Sequence, residues 1–454
     1  MTQSLLDSTP EFLARCRSDD APISSRDIFN LNCLIFKTCW QRLLCSFTAA
    51  NEFHQLSTLL QYQESLLSPI RRLPPELLTK IFTFIVEENP MTFGDYSPGT
   101  RLNALRISHV CCWWHTLVVS QPSLWSFIRV DIRNIPTKGS VFFRKDVIPR
   151  SEFAALSITL EFSHHNSINL VARDILNDLG AQANRWKHLK LLVSSPDGMR
   201  QLDNLIPGRA LTHPRDTAGN ISPLPLLESL TIISINSLSP ADAESFNCCP
   251  RLRELHITGS SVNASNGTFH FLNAIDSRNL IILDIKAALD CPIVDLLRAC
   301  PLLQTLTVGA LRGTGAPLPE CFFHTHLTTL NLCCIDEHFP KDVWQSVRLP
   351  SLAYLDVVMR AKEVKPTGLA VFKVHLKPTL DALMNMLICS GCRLQKASTH
   401  ERRGGTAVDY VFLRIFFGRA SNASNRSAVL ESSSLDSGFI HWASFCRSNL
   451  DSRD

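Results

Sequence analysis

The stretches CPRLRELHI (Cys249–Ile257), CPLLQTLTV (Cys300–Val308) and LPSLAYLDV (Leu349–Val357) align position for position around a shared core, L-x-x-L-x-[IVL]. The same phrase recurs as Leu227-Leu230-Ile232, Leu280-Leu283-Ile285 and Leu327-Leu330-Leu332. Successive central leucines are separated by 25, 28, 23, 24 and 25 residues. Apolar residues two apart mark a strand with one covered face, because side chains alternate across an extended chain. Between the strands, Ala241–Cys248, Phe269–Ile275, Pro292–Cys300 and Pro340–Val347 each suit a short helix. The Cys-Pro and Leu-Pro dipeptides stop those helices and reset the chain for the next strand. Weaker copies precede the series, at Trp186-Leu189-Leu191, Leu156-Ile158-Leu160 and Ile128-Val130-Ile132, and residues 381–394 make one more degenerate copy.

One strand and one helix or extended turn per unit of this length is the leucine-rich-repeat period. The leucine-type positions are expected to point inward. The residues between them then line the opposite, concave face, where solenoids commonly hold partners. The middle column reads Thr231, His256, Asp284, Thr307, Asn331 and Asp356, and beside it run Ser229, Glu254, Ile282, Thr305, Thr329 and Tyr354. Thr231, His256, Asp284, Thr307, Asn331, Tyr354 and Asp356 are therefore the candidates for holding a target. For any one of them a merely solvated position is the alternative reading.

A different pattern occupies Ser68 to Pro90, SPIRRLPPELLTKIFTFIVEENP. Pro74 and Pro75 suit a helix start, since proline in the first turn sacrifices no intrahelical donor. Glu76 then suits the positive end of the helix dipole. Leu77, Leu78, Ile81, Phe82 and Ile85 predict a broad stripe on one side, and Asn89-Pro90 ends the helix. The turn-forming run MTFGDYSPGT reads as a loop. A second helix follows, with its stripe at Ile107, Val110, Trp114 and Leu117, ended by Gln121-Pro122 and followed by Leu124-Trp125. Each fully buried Leu, Ile or Phe contributes about 1.5–3 kcal/mol, so two short helices with this many large apolar groups call for a further covering surface.

Leu73-Pro74-Pro75-Glu76-Leu77 with Ile81-Phe82, then Val110-Cys111, Trp114 and Leu117, then Pro122 and Leu124-Trp125, resembles the F-box pattern, and in particular the expanded F-box-like families of mushroom-forming fungi. That resemblance implies a docking surface for a Skp-type adaptor, and through the adaptor a link to a cullin-RING ubiquitin ligase. It places adaptor contacts on Leu73, Pro74, Glu76, Leu77, Ile81 and Phe82, with Val110 and Trp114 supporting the second helix. The alternative for these residues is the core of a small helical domain.

The reading is thus an α/β chain: an N-terminal helical region (1–67), a small helical F-box-like domain (68–126), an irregular leucine-rich-repeat solenoid with parallel strands on its concave face and helices outside (127–395), and a C-terminal cap and tail (396–454). In the first region Phe36, Trp40, Leu43, Phe47, Phe53, Leu56 and Leu60 predict one or two amphipathic helices whose apolar face packs on the next domain, a dimerising coiled coil being the alternative. In the last, the β-type run Tyr410 to Phe417 is expected to cap the solenoid, and a Ser/Asn-rich stretch follows it.

Over the 454 residues, 19% are charged and 45% apolar, as in globular chains, and the net charge of +4 comes with no basic run able to track a phosphate backbone. Nucleic acid is not an expected partner. The N-terminus lacks the basic start and apolar core of a secretory signal, and no stretch reaches the roughly 18 apolar residues that a membrane span needs. A soluble protein of the cytoplasm or nucleus is expected, with its 16 cysteines reduced. Cys389 and Cys392 form a single CxxC without a second ligand pair, so no metal or other cofactor is expected. No Walker loop, dinucleotide glycine motif, G-x-S-x-G elbow or HExxH helix occurs, and a non-catalytic role follows. The leading reading is the substrate-recognition subunit of a ubiquitin ligase. A repeat-based binding scaffold outside any ligase is the alternative.

Overall fold

The computed structural model describes residues 25–45, 50–94, 102–132, 135–162, 170–194, 224–234, 246, 249–259, 271–272, 275–290, 293–312, 321–335, 341–360, 382–402 and 410–411. The protein is a mixed α/β chain with parallel strands, and it divides into two compact units, Met1–Ile158 with Asn169–Ile175, and Thr159–Ile168 with Leu176–Asp454. Among the described residues no helix is long and apolar enough to cross a membrane.

The first unit opens with helices α1 (Ser25–Cys45) and α2 (Ala50–Leu66), which pack on each other. Leu31, Thr38, Leu56, Leu60 and Gln63 are buried, whereas Phe29, Phe36, Trp40, Leu43 and Phe53 are exposed. The expectation that the face carrying Phe36, Trp40 and Leu43 packs on the next domain is therefore corrected: it looks outward. Phe47 lies outside the described residues.

Helix α3 (Pro75–Glu88) starts as the prolines require, with the Leu77 and Leu78 N–H groups both donating to the Pro74 carbonyl, and it stops at Asn89. Helices α4 (Asn103–Ser108) and α5 (Cys112–Val119) pack against it. The single second helix expected from the 107–117 stripe is broken at His109–Cys111. There the Cys111 sulfur caps α5 by accepting from the Trp114 N–H at 3.5 Å. Periodicity could not show this break, because the three- and four-residue spacing continues across it. The Asn103 side chain donates to the Asn89 carbonyl at 2.8 Å and ties the start of α4 to the end of α3.

The run read as a loop begins instead with strand β1 (Met91–Phe93), which pairs in parallel with β2 (Phe127–Asp131), Met91 opposite Ile128 and Phe93 opposite Val130. Gly94 follows at φ +99°, and a Cβ there would lie 1.9 Å from the Asp131 carbonyl oxygen, so only glycine fits. The buried Trp125 indole donates to the Val118 carbonyl at 2.8 Å, closing the end of α5 onto the approach to β2. Strand β2 lies within the first unit.

Strand β3 (Leu156–Phe162) spans the division between the two units. In the second unit β4 (Trp186–Val193), β5 (Ser229–Ser234), β6 (Glu254–Gly259), β7 (Ile282–Asp290) and β8 (Thr305–Arg312) lie side by side and parallel. A short pair, β9 (Phe322–Phe323) with β11 (Val347–Arg348), stands apart. The main series continues through β10 (Thr329–Ile335), β12 (Tyr354–Arg360) and β13 (Lys396–Arg402). Strand β14 (Tyr410–Val411) adds antiparallel to β13, and the rest of the Tyr410–Phe417 run lies outside the described residues. Helices Ile293–Ala299 and Lys341–Gln345 fall within the expected Pro292–Cys300 and Pro340–Val347, a further helix spans 382–390, and the helices expected at Ala241–Cys248 and Phe269–Ile275 lie almost wholly outside the described residues.

Register follows the repeat. Leu230, Leu255, Leu283, Leu306, Leu330 and Leu355 sit opposite one another in sequence order and are all buried, and so are Ile232, Ile257, Ile285, Val308, Leu332 and Val357. The leucine that opens each copy closes a tight turn. Leu227, Leu252, Leu303 and Leu352 donate their N–H groups to the carbonyls of Leu224, Cys249, Cys300 and Leu349, each of which precedes a proline. The turn before β10 substitutes a side chain for that carbonyl: the Leu327 N–H donates to Nδ1 of buried His324 at 3.2 Å.

With Nδ1 accepting, the His324 proton sits on Nε2, which donates to the Cys300 carbonyl at 3.0 Å. Burial holds this imidazole below its ordinary pKa, with nearby His326 adding to the effect and the Cys300 hydrogen bond opposing it. Because the folded pKa is the lower one, the unfolded chain takes up the proton first as the pH falls. The neutral ring's contribution is complete above about pH 6.5, the ordinary histidine value, and is lost progressively as the pH drops below it toward the folded pKa. Melting temperatures recorded between neutral pH and mildly acidic pH should fall more steeply for the wild type than for His324→Asn. Equal slopes would remove His324 from the account.

Candidate functional surfaces

Two surfaces carry the residues singled out in the sequence, one in each unit. On α3 the expected single stripe is divided between two faces. Leu78, Phe82 and Val86, four residues apart, are buried. Leu77, Ile81, Phe84 and Ile85 are exposed, Leu77 at 46% and Phe84 at 68%. At spacings of four, three and one these four side chains form one outward strip along the helix. Pro74 and Glu76 are exposed at its N-terminal end, Leu73 is half-buried, and Val110 is exposed in the turn between α4 and α5.

Phe82, expected among the adaptor contacts, is not available to a partner. It is 1% exposed and meets the half-buried Trp114 edge-on, with ring centroids 4.7 Å apart. The correction is one of direction: residues one apart on a helix differ by about 100°, so Ile81 can look out while Phe82 anchors the helix on α5. Phe84 falls outside the fixed positions of the sequence pattern. Its spacing, seven after Leu77 and three after Ile81, was the signal that could have found it.

In the second unit the middle column is in direct register. Thr231 faces His256, His256 faces Asp284, Asp284 faces Thr307, Thr307 faces Asn331, and Asn331 faces Asp356. Each is partly exposed, on the opposite side of its strand from the buried leucines. Tyr354 stands one column over, level with Thr329, and donates from its hydroxyl to the Gln395 side-chain oxygen at 2.6 Å. The neighbours hold one another loosely: His256 Nδ1 lies 3.4 Å from Asp284 Oδ2, Lys286 Nζ lies 3.6 Å from the same oxygen, and the Asn331 amide donates to Thr307 Oγ1 at 3.0 Å. Lys190, level with Thr231 on β4, extends the column from a copy of the repeat too weak to mark it in the sequence.

This face offers donors, acceptors and both signs of charge over six strands. Among the described residues no group of three or more His, Cys, Asp or Glu could hold a metal ion. Cys392 is half-buried and its sulfur lies 3.8 Å from the Leu387 carbonyl, and burial pushes its pKa up. Burial likewise pushes the Cys300 thiol up to about 11, leaving it inert.

Comparison with family models finds no match, and comparison with curated proteins finds no significant similarity.

Proposed function

We propose that the chain is the substrate-recognition subunit of an SCF-type cullin-RING ubiquitin ligase, with α3 and its surroundings acting as an F-box that docks a Skp-type adaptor. The observation that carries this reading is the strip Leu77, Ile81, Phe84 and Ile85. A helix anchored on one face through Leu78, Phe82 and Val86 leaves a second apolar face in water. Four large side chains exposed together on so short a helix form a surface that a partner would cover. Val110, in the turn joining two helices that pack on α3, adds a further apolar contact.

The parallel strands of the second unit, read as a leucine-rich-repeat solenoid, supply the target-binding part through Thr231, His256, Asp284, Thr307, Asn331, Tyr354 and Asp356. The chain then works by position. Holding a target beside the ligase raises its effective concentration, and the bond-making groups belong to other subunits.

The test is binding of a purified Skp-type adaptor to the full chain. Wild type should bind, and Leu77→Asp with Ile81→Asp should weaken binding about 100-fold or more, as expected when central interface side chains are replaced, while the circular dichroism spectrum stays unchanged. A folded wild type that does not bind the adaptor would leave the repeat-based scaffold as the reading.

A further inference from the structure

A second apolar strip lies on α1. Phe29, Cys33, Phe36, Trp40 and Leu43 follow one another at intervals of four, three, four and three residues, and all five are exposed, Phe29 at 68%, Phe36 at 71% and Trp40 at 58%. That alternation averages 3.5 residues per turn, the repeat that keeps a seam facing a neighbouring helix over several turns. The fully buried residues of α1, Leu31 and Thr38, fall on the opposite side of the helix. The face used inside the chain and the 3.5-residue seam are therefore different surfaces.

We propose that this seam pairs with α1 of a second copy of the chain, making the protein a dimer. Area argues for it. Large aromatic and aliphatic side chains present about 150–250 Å² each, so at these exposures the seam leaves about 600 Å² of apolar surface in water, and closing two copies together hides about 1,200 Å², the lower edge of stable interfaces. Charge argues for self-pairing over a different helix. None of the five seam positions is charged, and of the flanking residues Asn30, Asn32, Lys37 and Cys39 only Lys37 is. Selection of a foreign helix commonly relies on opposite charges at those flanks. Over Phe29 to Leu43 the seam that a second copy meets is uncharged, the nearest charges along it being Arg26, three residues before Phe29, and Lys37 on the flank. The dimer is independent of adaptor docking, which uses α3.

Sedimentation equilibrium of the full chain under reducing conditions, across the micromolar range, tests this. Wild type should sediment at twice its 50.8 kDa. Phe36→Glu with Trp40→Glu should sediment as a monomer, its dimer affinity weakened about 100-fold or more by loss of central aromatic anchors, with an unchanged circular dichroism spectrum and undiminished adaptor binding. Phe36→Gln with Trp40→Gln should do the same and replaces the charged pair if that pair fails to fold. Leu77→Asp with Ile81→Asp should remain dimeric. A monomeric wild type overturns the proposal, as does a dimer that survives folded α1 variants or one that the α3 variant dissociates.

Discussion

Replacing Phe82 by alanine is expected to destabilise the first unit by about 3–5 kcal/mol, the usual range for truncating a buried phenylalanine. The ring is almost wholly enclosed, and its edge-on contact with Trp114 adds about 0.5–1.5 kcal/mol beyond area burial. Leu78 and Val86, one turn to either side, hold the backbone of α3 in place. The cavity therefore cannot collapse easily. Leu77→Asp, on the outward strip, should change stability by no more than about 0.5 kcal/mol, as is usual at exposed positions. Urea denaturation of the two variants separates the roles that the sequence pattern merges. If Phe82→Ala kept wild-type stability but lost adaptor affinity, Phe82 would belong to the interface after all.

That contrast shows what sequence can and cannot carry. Leu77, Leu78, Ile81, Phe82 and Ile85 define an apolar arc too wide for one neighbour to cover, and its width was plain. Which half is covered depends on Trp114, a residue beyond a break in the chain's helical course that no spacing revealed. The same limit hid the orientation of α1, where Leu31 and not Phe36 faces inward. Strand β1 was missed for a related reason. Met-Thr-Phe is too short to declare itself, and its pairing partner is Ile128 to Val130, far along the chain. By contrast, the strands of the second unit were legible because each copy repeats the same local rule. Leu at one position and Leu, Ile or Val two later fix which face is covered, and neighbouring copies then have one register that keeps every leucine inside.

Leu306→Ala and Thr305→Ala put that rule to its strongest test. Leu306 is fully buried and sits level with Leu283 on one side and Leu330 on the other, so truncation opens a hole flanked by leucines already held by their own strands. The expected loss is about 2–5 kcal/mol. Thr305, the preceding residue, points to the opposite face, level with Ile282 and Thr329, and its replacement should cost about 0.5 kcal/mol or less. Denaturant melts of the two variants decide the matter, and comparable losses at both sites would mean that the strand is covered on both faces. The consequence reaches function. If Thr305→Ala is neutral, substitutions along Thr231, His256, Asp284, Thr307, Asn331 and Asp356 can be read as changes in recognition, since the leucine column behind them carries the fold.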